Sequence, residues 1–567
     1  MKQVVDVQKL RIVEVDDAAA PSEQLSVEIL IAGGSVGGVS AAIAACEAGR
    51  TVCLTEETDW LGGQATSQGV SALDENRYIE TTGGTRGYLA FRRAIRDWYR
   101  QNAKLKPEAA ATEHLNPGRG WVSRLCFEPR AAVQVIEQRL APFVVAGRLR
   151  ILKRCKPCGL TKHDGRIATV DFVDLDSRHR YRVACAMVVD ATELGDLLAL
   201  GGAGFITGAE SREQTGEPHA ADTHDPEDVQ SFTYPVAIEL CAGEKHPIAC
   251  PPDYEHYRTE QPYTMTIVYA TRGSVTYKIH ERVENTYGPF WTYRRLIDAA
   301  QFDDPRYPRD VSMINWPGND YRGGNILVDS PAEQIAHLQA GKNLSLGLLY
   351  WLQHELDRDE GGKGYPEFKL RTDVTDSADG MSKFPYIRES RRIKALKTII
   401  EQELVASAQQ GPRAAHFDDS VGIGLYAIDI HESKRGRKQI IDPAKPFQIP
   451  LGALISRDTA NLLAGCKNIG TTHISNGCYR EHPIEWAIGE AAGETAALCL
   501  ERGATPAAIR ENPTDLRTLQ RRLVLRGAPL MWYDDVTPDD PRFARVQMLP
   551  FEEPAVLDRL GDSLHAP

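Results

Sequence analysis

Apolar positions cluster twice within the first sixty residues, with a run of small residues between. Val27, Ile29, Leu30 and Ile31 predict a short buried strand, and "AGGSVGG" follows as a glycine turn. An alanine-rich stretch then predicts a helix reaching about Ala48, stopped by Gly49. Residues 51–55 predict a second strand that ends at Glu56. Strand, turn, helix and strand in this order make the unit in which a dinucleotide fingerprint has meaning.

Further along the pattern changes. Between residues 147 and 192, "RLRILKRC", "RIATVDFVDL" and "RYRVACAMVVDATE" predict three strands, with "HDG" as the turn between the first two. They read as a small meander that returns to the main sheet through "AMVVDATE". Residues 211–444 carry long aromatic-rich stretches expected to form a substrate domain, whose tyrosines and tryptophans serve mostly as core and cleft wall. Near the end, residues 462–464 predict one more strand, closed by Gly465. A polar loop follows, then a helix from about Pro483 with Gly489, Ala492, Gly493 and Ala496 as a small-residue face. The expected domains are 25–210 and 445–510 for the two parts of a nucleotide-binding unit, 211–444 for the substrate unit, and 511–567 for an irregular extension available to cover another subunit.

Composition narrows the function. A chain of 567 residues with 42% apolar and 25% charged positions predicts a soluble protein of two or more domains. A net charge of −12 speaks against nucleic acid or an anionic membrane as partner, leaving a small-molecule substrate, with a homo-oligomer open. Residues 27–46 are the one stretch with a membrane-like run, but Glu28 and four glycines make it a buried strand and helix instead. The start of the chain has no uninterrupted apolar core of a signal peptide, and eleven irregularly spaced cysteines suit a reducing compartment, so a cytoplasmic location is expected.

Each part of the glycine turn has a physical job. Gly33 makes the tight turn, Gly38 lets the helix pack against the sheet, and the free amides of the first helical turn receive a pyrophosphate. Ser35 stands where a glycine usually lets phosphate approach the backbone. Serine serves there if its φ is negative and its hydroxyl points at the phosphate. Glu56, eighteen positions after Gly38, is placed to accept hydrogen bonds from a ribose. The glycines after Trp60 and Leu61 in "WLGGQAT" allow backbone amides to approach a flat ring or a phosphate. Asp190, before Ala191 and Thr192, is placed to meet a cofactor at a strand's carboxyl end.

Taken in order, "GGSVGG", "EETDWLGGQATSQG", "VVDATELGDLLALGGAGFITGAESREQTGEPHA", "INWPGNDY", "PYIRESRRIKAL", "SVGIGLYAIDIHES", "IPLGALI", "NLLAGCKNIGTTHISNGCYREHP" and "AIGEAAGETAA" resemble the FAD-dependent oxidoreductases of the glutathione-reductase-like superfamily. The nearest resemblance is to a broad bacterial family, some members of which are labelled as related to xanthan lyase. It spans about residues 27–500. The resemblance implies an α/β fold, a Rossmann-like FAD-binding domain of the glutathione-reductase type with an inserted α+β substrate domain. It implies FAD in extended form, with Gly33, Ser35, Gly37 and Gly38 at the pyrophosphate and Glu56 at the adenosine ribose, Glu57 belonging to the same set. Leu61, Gly62, Gly63, Gln64 and Thr66 would meet the phosphates or the isoalloxazine, with Asp190, Ala191 and Thr192 at the strand end. Asn468 and Ile469 would lie beside the flavin. No second glycine fingerprint stands between a strand and a helix, since "GGAGFITG" follows a helical run, so a dedicated nicotinamide domain is not expected.

For catalysis His473 is the first choice, as a neutral imidazole that takes a proton while hydride leaves carbon; a histidine satisfied by backbone groups is the competing reading. Arg480 can clamp a carboxylate or stabilise a reduced flavin, and Arg388 can reach the site. Arg391 and Arg392 read as a solvated face or an ion-pair network; His482 reads as a helix-start residue. Asn319, Asp320 and His431 rank lower. Cys155 and Cys158 form "CKPC" without a second pair, so they read as structural and no metal site is expected. The expected activity is an FAD-dependent dehydrogenase or oxidase that moves a hydride from a C–H next to oxygen or nitrogen to flavin N5. A flavin monooxygenase, an ene-type reductase and a non-catalytic FAD-binding protein are the alternatives.

Overall fold

Five parallel strands carry the turn. In the computed structural model, which describes every residue except 1, 18–19, 202, 270–272 and 562, the glycine-turn strand runs over Glu23–Ala32, longer than its apolar run predicts. On one side it pairs with Val52–Glu56, which pairs in turn with Leu149–Lys153. On the other side it pairs with Arg180–Asp190. Leu462–Ala464 joins the far edge of Arg180–Asp190, so Ala32, Asp190 and Ala464 stand level at the carboxyl end of the sheet. Ligands of open parallel sheets bind outside that end. Gly202, within the second glycine-rich run, lies outside the described residues.

The meander differs from its prediction. Leu149–Lys153 belongs to the parallel sheet, and an additional strand, Cys155–His163, pairs antiparallel with Arg166–Asp174. Proline and glycine inside "CKPCGLTKH" hide this strand from its sequence, because both are rare in central strands and tolerated at edges and bulges. The register indeed slips between Pro157 and Gly159. Cys155 and Cys158 are free, buried thiols in this strand. Burial raises both, Cys158 to about 11, which makes them poor nucleophiles.

The helix Val36–Glu47 packs closely against the helix His482–Arg502, and Ser40 Oγ donates across the seam to the Trp486 carbonyl at 2.8 Å. A Cβ on Gly489 would stand 2.0 Å from the carbonyl oxygen of Gly37, and one on Gly493 2.4 Å from that of Ala41. Both glycines are therefore there for close backbone approach.

A second apolar cluster, with Tyr234, Trp316, Leu344, Leu348 and Phe368, builds the middle of the chain. It lies in and around an antiparallel sheet ordered Arg295–Ile297, Val311–Ile314, Val236–Leu240 and Phe368–Leu370, and includes the helix Pro331–His354. The last sixty residues are not irregular. Helices at Pro513–Leu525 and Phe543–Glu552 bury Leu516, Leu519, Leu523 and Phe551 in the main core of this chain. Among the described residues no helix is long and apolar enough to cross a membrane.

Candidate active site

The glycine turn closes on protein groups at almost every donor. Gly33 takes φ +96°, and a Cβ there would strike the Ala191 carbonyl at 2.2 Å. Ser35 has the negative φ expected of a serine, −58°, but its hydroxyl caps the helix by accepting from the Gly38 amide at 3.1 Å. The Gly37 amide donates to the carboxylate of Glu485 at 3.1 Å. Glu485 thus brings an internal anion to the positive end of the helix. Its other oxygen accepts from Gln64 Nε2 at 2.6 Å. Burial raises Glu485 to about 7 against the pull of Lys467, 4.0 Å away, which itself is paired with Glu193.

Neighbouring candidates are similarly engaged. Glu56 accepts from the Gly34 amide at 2.9 Å and from the amide and hydroxyl of Thr58, and burial lifts it to about 8. Glu57 pairs with Lys156 at 2.6 Å. The amide of Gly62, at φ +110°, donates to the Gly34 carbonyl and ties the second loop to the first turn. Leu61 is buried below it, and its carbonyl accepts from the Thr66 hydroxyl at 2.8 Å. Asp190 does not reach outward from its strand. It accepts from Thr192 and from the amides of Leu197 and Leu198, capping the next helix, and burial raises it to about 7. Asn468 donates to the Asp190 carbonyl at 2.9 Å, and Ile469 is core.

What remains unpartnered is informative. Gln64 Oε1, Glu193 Oε1, Gln68 Nε2, Thr471 Oγ1, His473 Nε2 and Asn476 Oδ1 are buried without a hydrogen-bond partner. Buried polar atoms are nearly always satisfied, so these donors and acceptors at 64–68, 193 and 471–476, among others elsewhere in the chain, suit a polar ligand.

Beside residues 64–68 lies a partly open cavity of about 150 Å³. Its wall includes Asp74, Arg294, Trp316, Tyr386, Arg388, Tyr426, Asp429, His431 and Arg480. Gln64 Nε2 also donates to the Arg480 carbonyl at 3.0 Å, and Gln68 Oε1 accepts from the Ile387 amide at 3.0 Å, so cavity and turn loop share a boundary. His431 Nδ1 is 2.5 Å from Asp320 Oδ2, and Arg388 donates to the other oxygen of Asp320 at 3.0 Å. Burial would raise Asp320, but Arg388 and His431 outweigh it and hold this carboxyl at about 2. Asp429 is likewise held well below its usual range against burial, by His431 and by Arg480.

The first-choice histidine does not line the cavity. His473 is buried, with Nδ1 2.9 Å from Glu389 and its amide donating to Glu210. Arg392 joins Glu389 and Glu210 in this network and is fully buried, which rules out the solvated-face reading for it. Arg480 is already paired with Asp429 at 3.0 Å and donates to the Tyr386 hydroxyl at 2.7 Å, so it is no open carboxylate clamp. Trp316, Tyr386 and Asp429 lie inside motifs quoted above without being singled out there, and Arg294 lies in none of them. Asn319 is a turn residue whose amide accepts from the Trp316 backbone and so seats that ring. Asp74, Glu481 and His482 come within ligating distance of one another. Both ring nitrogens of His482 are nevertheless engaged, by the Asp74 amide and the Val70 carbonyl, and Arg294 holds Asp74.

Comparison with known proteins gives one extensive match. Residues 28–523 match the family described as FAD dependent oxidoreductase. No curated protein sequence matches the chain. Among solved structures, a geranylgeranyl bacteriochlorophyll reductase-like protein of Thermoplasma acidophilum is similar at TM-score 0.33 and 9% identity, covering 95% of this chain and 99% of that one. A variant of E. coli quinol fumarate reductase is similar at TM-score 0.32 and 9% identity, over 88% of this chain and 75% of that one. L-proline dehydrogenase from P. horikoshii aligns at 17% identity and TM-score 0.16, over 33% of this chain and 24% of that one. These structural likenesses are too distant to carry an argument.

Proposed function

This chain belongs to the FAD-dependent oxidoreductase family, and we propose that it removes a hydride from a C–H next to oxygen or nitrogen of a small substrate held in the cavity beside His431. The cofactor is FAD, and the unpartnered atoms of Gln64, Glu193, Thr471, His473 and Asn476 suit a ligand that offers both donors and acceptors. When bound, FAD supplies the two-electron acceptor. We read the fold as the glutathione-reductase type, with residues 25–210 and 445–510 as the cofactor unit and 211–444 as the substrate unit.

The chain's own part is to hold substrate and move a proton. His431 Nε2 takes the hydroxyl or amine proton as the C–H bond breaks. Asp320, at 2.5 Å from Nδ1, keeps that nitrogen as the donor and stabilises the imidazolium that forms. Arg388, paired with Asp320 at 3.0 Å, helps keep that carboxylate ionised. The aromatic walls exclude water from the reacting carbon.

The observation that carries this reading is the Asp320–His431 pair on the wall of a cavity bounded by the turn loop. Anaerobic mixing of the holoenzyme with candidate alcohols and amines should bleach the flavin without nicotinamide, and His431→Asn should slow bleaching about 10²–10⁴-fold. Bleaching that requires NAD(P)H, or a rate unchanged in His431→Asn, overturns the proposal.

A further inference from the structure

We infer that the substrate is a neutral, polyhydroxylated six-membered ring. This rests on the reading above that the cavity is the substrate site, and it follows from the cavity's charge balance, size and spare hydrogen-bonding groups.

Three arginines line the cavity, which would ordinarily suggest an anionic substrate. Each, however, has its own carboxylate at 3.0 Å. Arg294 is paired with Asp74, Arg388 with Asp320 and Arg480 with Asp429. The three guanidinium charges are matched, and a substrate carboxylate would meet Asp74 and Asp429 on the wall. Like charges brought together out of water are costly, so the lining selects against anions.

The pairing leaves polar capacity of another kind. The paired carboxylates keep lone pairs, and the amides of Asn315 and Gln439 on the same wall add both functions. Hydroxyl groups donate and accept at once, so a set of them satisfies such a lining. A hydrocarbon would leave it unsatisfied.

Size and shape complete the match. A cavity near 150 Å³ accommodates one six-membered ring. Trp316 and Tyr426 give it flat apolar walls, which suit the C–H faces of a saturated ring while its hydroxyls meet the polar rim.

The test measures binding and bleaching separately on the holoenzyme. Calorimetry with D-glucose, D-galactose, D-mannose and myo-inositol is compared with D-glucuronate and cyclohexanol. At least one neutral polyol should bind tenfold or more tightly than both controls. Trp316→Ala and Tyr426→Ala should each weaken that binding at least tenfold, with circular dichroism confirming the fold. Asp429→Asn, which removes one of the two carboxylates paired with Arg480, should raise D-glucuronate affinity relative to the best polyol at least tenfold. The inference is overturned if D-glucuronate or cyclohexanol binds wild type as tightly as any polyol, or if no polyol binds. Polyol binding without bleaching would uphold the ring and refute hydride removal, whereas bleaching by acyclic or anionic compounds alone would do the reverse.

Discussion

The glycine turn and the adjoining cavity both bury carboxylates, and they shift them in opposite directions. At the turn, Glu56 and Asp190 sit among backbone amides and apolar strands, with no cation bonded to either, and burial pushes them to about 8 and about 7. At the cavity, Asp320 behind the wall is equally buried and Asp429 on it is half-buried, and arginine and histidine hold both low. Amides and hydroxyls stabilise a carboxylate less than a guanidinium does, so desolvation wins in one place and loses in the other. At the turn, carboxylates that no cation touches are kept from ionising, whereas the cavity's carboxylates are held ionised by their partners.

The sharpest way to break this contrast is Arg388→Ala. It strands Asp320 as a buried, half-paired anion and should cost about 3–5 kcal/mol in denaturant unfolding. Arg388→Ala combined with Asp320→Asn should recover much of that loss. An additive double variant would show that the pair is not coupled.

The next test uses pH, because the two regions have opposite linkage. Groups raised in the folded state, Glu56 from 4.5 and Asp190 from 3.8, contribute stability that is complete below those values and lost as pH rises towards 8 and 7. Asp320, lowered from 3.8 to about 2, contributes stability present above 3.8 and lost as pH falls through 2. Each group changes stability by at most about 1.4 kcal/mol per pH unit within its window. Asp190→Asn should flatten the decline between pH 4 and 7 (about the span of its shift), and Asp320→Asn should flatten only the acid limb. Unfolding curves with identical pH slopes would remove the distinction.

Smaller effects probe the turn alone. Gly489→Ala forces the two packed helices apart and should destabilise by about 1–3 kcal/mol while weakening FAD retention. Ser35→Ala removes the cap on Gly38 and should cost about 1 kcal/mol, whereas Ser35→Asn should cost little. Thermal melts with and without added FAD measure both.

Much of the turn was legible in the residues. The apolar runs around residues 30 and 53, the intervening glycines and the alanine-rich helix are local choices of backbone and burial, and each can be read from its neighbours. Gly489 and Gly493 were legible for the same reason, as a small-residue face at helical spacing. Legibility failed where a signal was mixed or ignored. Pro157 and Gly159 concealed an edge strand, while Leu516, Leu519 and Leu523 had the spacing of a buried helical face in a segment read as irregular.

Sequence by itself therefore determined the family, the cofactor and the unit that carries the turn, because these rest on short-range patterns in fixed order. Tertiary structure alone decided which histidine faces the cavity and what each arginine is paired with. Asp320 meets His431 across 111 positions, Arg294 meets Asp74 across 220, and Arg388 meets Asp320 across 68. Charge at a site is a sum over such partners, and no periodicity along the chain encodes which of them the fold will bring within 3 Å.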